Sequence, residues 1–309
     1  MLISSMNFFD LIQQYKLFDS HCHLNNKEFN KDRTRVIQQA FQQGIEAIID
    51  VGMDIRSSQK SIEITSHQQF QDKIFSTIGI HPEVFIPGSD LYEENEIDLE
   101  NIINELTEFI SHNLKYIAFI GETGLDYYWL EKNTNIDNEI MGRAKSRQQQ
   151  MFLRHIELAR KFNLPLTIHS RSSVDDCINL IIDKNVKGVF HSLTPDELAR
   201  GTIFDQKKIF YDQVNTILEM GFFIGINGII TYKSAKILRE VFTKVIKEKT
   251  QQQKVEPTII HIVENLYNAG FVLETDSPLL KPSGFTSLQK KRNEPGAVKV
   301  ILEFLQKIL

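Results

Sequence analysis

The chain has 309 residues, 41% of them hydrophobic, and a net charge of −5, which is enough to bury one large core or two modest ones. That charge excludes a protein that draws in polyanions through its global field, so a nucleic-acid ligand would need local cations, bound metal included. Two cysteines, Cys22 and Cys177, exclude a disulfide framework and suit a reducing compartment.

The opening stretch MLISSMNFFDLIQQYK carries no basic segment followed by an apolar one, and no apolar run reaches about 18 residues. Neither a secretory signal nor a membrane span is expected, and the setting read from this is cytoplasmic, or nuclear in a eukaryote. Oligomeric state is left open, a monomer included.

In chain order, the partly apolar Tyr15, Leu17 and Phe18 lead into Asp19-Ser20-His21-Cys22-His23-Leu24, the end of a first strand. A helix over Lys31 to Gln43 stops at Gly44. Ile45 to Val51 is a second strand, Ser57 to Gln69 a helix, and Lys73 to Ile80 a third strand ending in Gly79-Ile80-His81-Pro82. Residues 83–96 read as a polar loop and Leu99 to Ser111 as an amphipathic helix. Tyr116 to Ile120 is a fourth strand running into Gly121-Glu122-Thr123-Gly124-Leu125-Asp126.

The polar run 131–147 reads as a loop excursion before a long helix from Gln148 to Phe162. Strand five, Leu164 to Ile168, ends in His169-Ser170-Arg171. A helix over Ser173 to Asp183 precedes strand six, Val186 to Phe190, which ends in His191-Ser192. A second insertion at 195–210 comes before a helix around Val214 to Met220, and Phe222 to Ile226 is strand seven. Helices over Ala235 to Lys247 and Thr258 to Tyr267 flank a solvated stretch at 247–254. Strand eight, Ala269 to Leu273, ends in Glu274-Thr275-Asp276-Ser277-Pro278. The loop Lys281 to Pro295 and a helix from Ala297 to Leu309 close the chain.

Eight strands alternating with helices, without a linker, predict a parallel sheet with right-handed crossovers closed into a (β/α)8 barrel, one domain over residues 1–309. A doubly wound open sheet is the competing architecture, but no strand–Gly-x-Gly-x-x-Gly–helix unit supports it.

In such a barrel the C-terminal ends of the strands converge on one face. Five of the nine histidines fall at those ends, His21, His23, His81, His169 and His191, together with Glu122 and Asp276. His21 and His23, two residues apart in a strand, share a face, and Cys22 between them points away. Imidazoles and carboxylates together suit Zn, Mn, Fe or Co, and the carboxylates tolerate Mg. Six ligands, His21, His23, Glu122, His169, His191 and Asp276, exceed the needs of one tetrahedral ion. They fit two divalent ions bridged by Glu122, one on His21, His23 and Asp276, the other on His169 and His191. A water activated by the two metals would be the nucleophile, and Asp276 would take its proton or orient it.

The stretches Phe18-Asp19-Ser20-His21-Cys22-His23-Leu24, Gly79 to Pro82, Gly121 to Tyr127, Pro165 to Arg171, Gly225 to Gly228, Glu274 to Pro278 and Arg292 to Pro295 run from end to end of the chain. In that order they resemble the TatD family of metal-dependent deoxyribonucleases, within the amidohydrolase superfamily of (β/α)8 barrels. The resemblance implies hydrolysis of DNA phosphodiester bonds, as a 3′–5′ exonuclease. Glu122 is similar to the bridging glutamate of TatD-like members, where many binuclear amidohydrolases carry a carboxylated lysine. One departure is His191-Ser192-Leu193-Thr194-Pro195, where the family commonly has His-Cys-Phe-Thr-Gly.

Each residue also has a plainer reading. Asp276 before Ser277-Pro278 suits a helix N-cap. His81 is either a contact to substrate phosphate or a histidine held by Pro82. Arg171 offers a planar fork for phosphate or a structural salt bridge, and Arg292 either reaches substrate or locks the last helix. Tyr127-Tyr128-Trp129 either stacks on a base or packs. His67, His112, His155 and His261 fall in helical stretches and are assigned no chemistry. The competing activities are hydrolysis of an amide, lactone or aminoacyl ester, and non-catalytic binding on a barrel scaffold; retention of all six ligand residues weighs against the latter.

Overall fold

Strands pair in the order in which they occur. The computed structural model describes residues 8–92, 98–198, 201–250, 259–287 and 291–309. In it β1 (Phe18–Cys22), β2 (Ala47–Val51), β3 (Ile74–Ile78), β4 (Ile117–Asp126), β5 (Leu166–Arg171), β6 (Gly188–Phe190), β7 (Phe223–Ile226) and β8 (Phe271–Leu273) form one parallel sheet. The helices are α1 (Phe8–Gln14), α2 (Arg33–Gln42), α3 (Ile55–Ser66), α4 (Leu99–Asn113), α5 (Tyr128–Lys132), α6 (Asn138–Phe162), α7 (Val174–Ile181), α8 (Ile203–Glu219), α9 (Lys236–Thr250), α10 (Ile259–Asn268) and α11 (Val298–Ile308).

The first and last strands are stitched together just past their C-terminal ends. The amides of Thr275 and Asp276 donate to the His21 carbonyl (3.3 and 2.8 Å), and the His23 amide donates to the Ser277 carbonyl (2.8 Å). The buried Asp19 carboxylate accepts from the Thr275 amide (2.9 Å) and hydroxyl (2.6 Å). The sheet is thereby a nearly closed (β/α)8 barrel.

Strand periodicity divides the apolar side chains into two cores. Outward residues such as Ile48, Ile78, Ile168 and Phe190 pack under the helices. Inward residues, Phe18, Ile49, Phe75, Phe119, Val189 and Val272, fill the barrel, and Phe8 and Leu11 of α1 seal its N-terminal end. Among the described residues no helix is long and apolar enough to cross a membrane.

Several boundaries differ from the sequence expectations. Fourth-strand pairing continues to Asp126, so Glu122 stands inside β4 instead of after it. The 131–147 excursion is mostly helix. Asp137 caps α6 by accepting from the Ile140 amide (2.8 Å), and Ala144, Gln148, Met151 and His155 form its buried stripe at helical spacing. The 195–210 insertion likewise gives way to α8, which starts at Ile203 because Thr202 and Asp205 form a reciprocal capping box. Helix α1 was not anticipated from the sequence at all. Parts of the expected loops at 83–96, 195–210, 247–254 and 281–295 lie outside the described residues.

Candidate metal centre

All seven residues singled out at strand ends face the mouth of the barrel, and the five histidines gather around one carboxylate. Glu122, 2% exposed, has His21 Nε2 at 3.3 Å, His23 Nε2 at 3.8 Å, His81 Nε2 at 3.4 Å, His169 Nδ1 at 3.1 Å and His191 Nε2 at 4.0 Å. Asp276 adds a second carboxylate, with Oδ1 3.2 Å from His23 Nε2 and 3.9 Å from both His21 and His191. Its backbone sits in the left-handed region at φ +54°, a conformation that Asp tolerates and that turns the side chain back over the barrel mouth.

The outer nitrogens decide which way each ring can work. His23 Nδ1 donates to the Val51 carbonyl (3.1 Å), and His21 Nδ1 shares a hydrogen bond with the Thr167 hydroxyl (3.4 Å). His191 Nδ1 lies 2.9 Å from Glu274 Oε1, at an angle too oblique for a formal hydrogen bond, yet the charge attraction at that separation places the ring proton there. In all three rings Nε2 faces Glu122 and Asp276. His21 Nε2, fully buried, has no hydrogen-bond partner among the described residues.

His81 is different. Its Nδ1 accepts from the Glu83 amide (3.2 Å), so its proton resides on Nε2 and points at Glu122. Geometry groups His81 with Glu122 and His169 as a possible ion site. A ring that is already an acceptor at Nδ1 would have to become an imidazolate to ligate through Nε2, and we therefore read it as a hydrogen-bond donor.

Electrostatics follow from this crowding. Burial alone would push Glu122 up, but His81, His21 and His169 hold its carboxyl well below the usual range. Asp276 is lowered in the same way: burial raises it, and His191 and His23 more than offset that. Burial opposes the charge on His169 too, yet Asp126 and Glu122 on its two nitrogens raise it to about 10. His23 is raised to about 9, Asp276 outweighing desolvation. His21 goes down, because burial and the neighbouring His191, stacked on it at 3.5 Å between centroids, outweigh Glu122.

The donor set fits divalent cations. Three triads, His21–His23–Asp276, His21–Glu122–His191 and His81–Glu122–His169, each place their ligand atoms within 4.8 Å of one another. The expected grouping of His191 with His169 is not among these triads; His191 stands on the His21 side. Protons on His169 and His23 now balance the carboxylates, and these are the protons that a bound ion displaces.

Sequence reasoning left out the groups that hold these rings. Asp126 Oδ2 meets His169 Nε2 at 3.1 Å while Oδ1 accepts from the Trp129 amide (3.2 Å). Glu274, fully buried, also accepts from the Ser192 amide (2.7 Å). It fits because residue 225 is glycine: a Cβ there would lie 2.0 Å from Glu274 Oε2. His155 and Gln148, two turns apart on α6, clamp the mouth from outside. His155 Nε2 accepts from the Ile80 amide (3.0 Å), fixing the residue before His81, and Gln148 bonds both the Asp126 backbone and the Pro82 carbonyl. Asp126 and Glu274 lie within motifs already noted, so spacing from His169 and Asp276 was the available signal.

Arg171 and Arg292 are not part of the cluster. Arg292 is buried on Asp32 (2.8 and 2.9 Å) and Glu294 (2.8 Å), joining the last loop to α2. Arg171 stands at the rim, paired with Glu197.

A (β/α)8 barrel with buried histidines and carboxylates at its C-terminal mouth is the architecture of a metal-dependent hydrolase. A family model described as TatD related DNase matches residues 18–309, and the chain belongs to that family. It is 29% identical over 291 residues to an uncharacterized metal-dependent hydrolase, YabD, of Bacillus subtilis, covering 93% of this chain and 89% of that protein. It is 25% identical over 295 residues to the human deoxyribonuclease TATDN3, covering 94% and 87%. Among solved structures, the TatD homolog YJJV of Escherichia coli K12 superposes with a TM-score of 0.67 at 21% identity, covering 95% of this chain and 90% of that one, a likeness of fold.

Proposed function

We propose that this TatD-family hydrolase is a deoxyribonuclease that removes nucleotides from DNA in the 3′–5′ direction, working as one barrel domain over residues 1–309 with two divalent ions. The observation that carries this reading is the buried Glu122 carboxylate with the imidazoles of His21, His23, His169 and His191 around it and Asp276 beside them, a donor set larger than one tetrahedral ion uses. His21, His23, Asp276, His169 and His191 would hold the ions, with Glu122 shared between them. When bound, the metals would lower the pKa of water and neutralise charge on a phosphodiester.

The chain's own residues do the rest. Asp276, kept ionised by its histidines, accepts the proton of the attacking water. His81 turns its Nε2–H toward the site and donates to a phosphate oxygen. Arg171, two residues past His169 on β5, supplies a second phosphate contact. The unpaired, buried Cys22 and Cys177 suit a cytoplasmic or nuclear setting.

The test is a cleavage assay on metal-stripped protein, using end-labelled single- and double-stranded DNA with Mg, Mn, Zn and Co restored in turn and bound metal counted. Stepwise shortening that returns with metal and disappears in Asp276→Asn is expected. Two bound ions without cleavage under any metal would redirect the reading to an amide, lactone or aminoacyl ester hydrolase.

A further inference from the structure

Beside the cluster lies a shelf that the ion ligands leave unused. Tyr128 and Trp129 open α5 directly after β4, and Trp129, the chain's one tryptophan, is 45% exposed. The two rings meet edge-on at 5.0 Å, and the Arg171 guanidinium lies 4.0 Å from the Tyr128 centroid and 5.1 Å from that of Trp129. Arg171 is two residues beyond His169, hence on the same side of β5 and about 6.6 Å further along it.

The shelf is keyed to the ion cluster. Asp126 bonds the Trp129 amide with one oxygen and His169 with the other (3.2 and 3.1 Å), and the Arg171 carbonyl accepts from the Tyr127 amide (3.0 Å). The fork of Arg171 is meanwhile filled by Glu197, with contacts of 3.1, 2.9 and 3.2 Å. Both side chains are partly exposed, 30% and 41%, so the pair is weakly held and open to exchange. A two-pronged carboxylate on a guanidinium has the geometry that a phosphate would adopt in its place.

We propose that this shelf is a nucleotide subsite: one base of the DNA strand stacks on Trp129, and the adjoining phosphate displaces Glu197 from Arg171. Glu197 is then an internal stand-in for phosphate, vacating the fork only when a strand occupies the site. Stacking on an exposed aromatic tolerates any base, so the subsite orients the strand without selecting sequence. This assignment rests on the nuclease reading.

Because Trp129 is the sole tryptophan, its fluorescence reports the subsite directly. The metal-loaded protein is titrated with a phosphorothioate pentathymidylate, which resists cleavage. Saturable quenching is expected, weakened by about 10- to 100-fold in Arg171→Ala and clearly weakened in Arg171→Lys, which keeps the charge and loses the fork. Glu197→Gln should tighten binding by about two- to five-fold, the worth of an exposed pair. In the cleavage assay Trp129→Ala should raise KM and leave kcat unchanged. Weaker binding in Glu197→Gln would make the pair a structural clamp and overturn the proposal, as would absence of quenching in protein that cleaves DNA, which leaves the nuclease reading intact. Quenching without cleavage of unmodified DNA would keep the subsite and remove the nuclease reading.

Discussion

At the N-terminal end of the barrel the inward positions are Phe18, Phe75, Phe119 and Phe223, with Phe8 from α1 packed on Phe119 (4.9 Å) and Phe223 (5.3 Å). At the C-terminal end the same strands present His21, Thr77, Glu122 and Gly225. Only two residues, about 6.6 Å of strand, separate Val189 from His191 and Val272 from Glu274. The alternation is shared, and what differs is the kind of energy stored. The bottom is held by apolar burial, which has no direction and favours stability. The mouth is held by directed contacts among groups that are costly to bury unpaired, and it therefore depends on every partner being present.

The comparison breaks most sharply at Glu122. Glu122→Ala removes the carboxylate shared by the whole assembly; turnover should fall on the order of 10⁴-fold, as for a residue acting within a catalytic unit, with metal content falling in parallel while urea unfolding still shows a folded protein. A variant retaining full activity would dismiss the bridging role.

At the opposite end, Phe8→Ala should cost about 3–5 kcal/mol of stability by opening a cavity, read from urea denaturation. Metal content and turnover of the folded fraction should stay unchanged; a loss of metal affinity would show that the two ends are coupled.

His155 sits between these regimes, a buried ring that serves the mouth from outside. Burial lowers it from 6.5 to about 4, with its bond to the Met151 carbonyl opposing. Its folded pKa is below the unfolded one, so its contribution is complete above about pH 6.5 and is lost as pH falls through about 4. The sum is about 3 kcal/mol. Denaturation midpoints between pH 7 and 4 should therefore fall more steeply in the native protein than in His155→Gln; parallel curves would remove the neutral-histidine role.

The smallest effect is expected at Glu274. Glu274→Gln keeps the shape beside Gly225 and weakens the hold on the His191 proton, lowering metal affinity by about 10- to 100-fold. Calorimetric metal titration is the measurement, and an unchanged affinity would reduce Glu274 to packing.

Much of this was legible because strand ends in a parallel barrel must converge. Counting eight apolar runs was enough to place His21, His23, His81, Glu122, His169, His191 and Asp276 on one face. Boundaries were less legible where polarity misled. The stretch at 131–147 carries few apolar residues, and its helix is revealed only by the Asp137 cap and the stripe that ends on Gln148 and His155. Helix α1 has a helical spacing in its sequence, with Phe8, Leu11, Ile12 and Tyr15 at i, i+3, i+4 and i+7, but it is only seven residues long, and its place is set by the open end of the barrel that receives that stripe.

The sequence by itself determined the order of the strands, the residue types at their ends and the family to which they belong, since period and motif are local properties of a chain. Only the tertiary structure decided how those residues divide their work. The Glu83 amide makes His81 a donor, Glu274 and Asp126 hold the outer nitrogens of His191 and His169, and Glu197 fills the fork of Arg171. Each of those assignments depends on which nitrogen or oxygen faces which partner: the turn that Pro82 opens aims the Glu83 amide at His81 locally, and the other three contacts join strands and loops far apart in sequence.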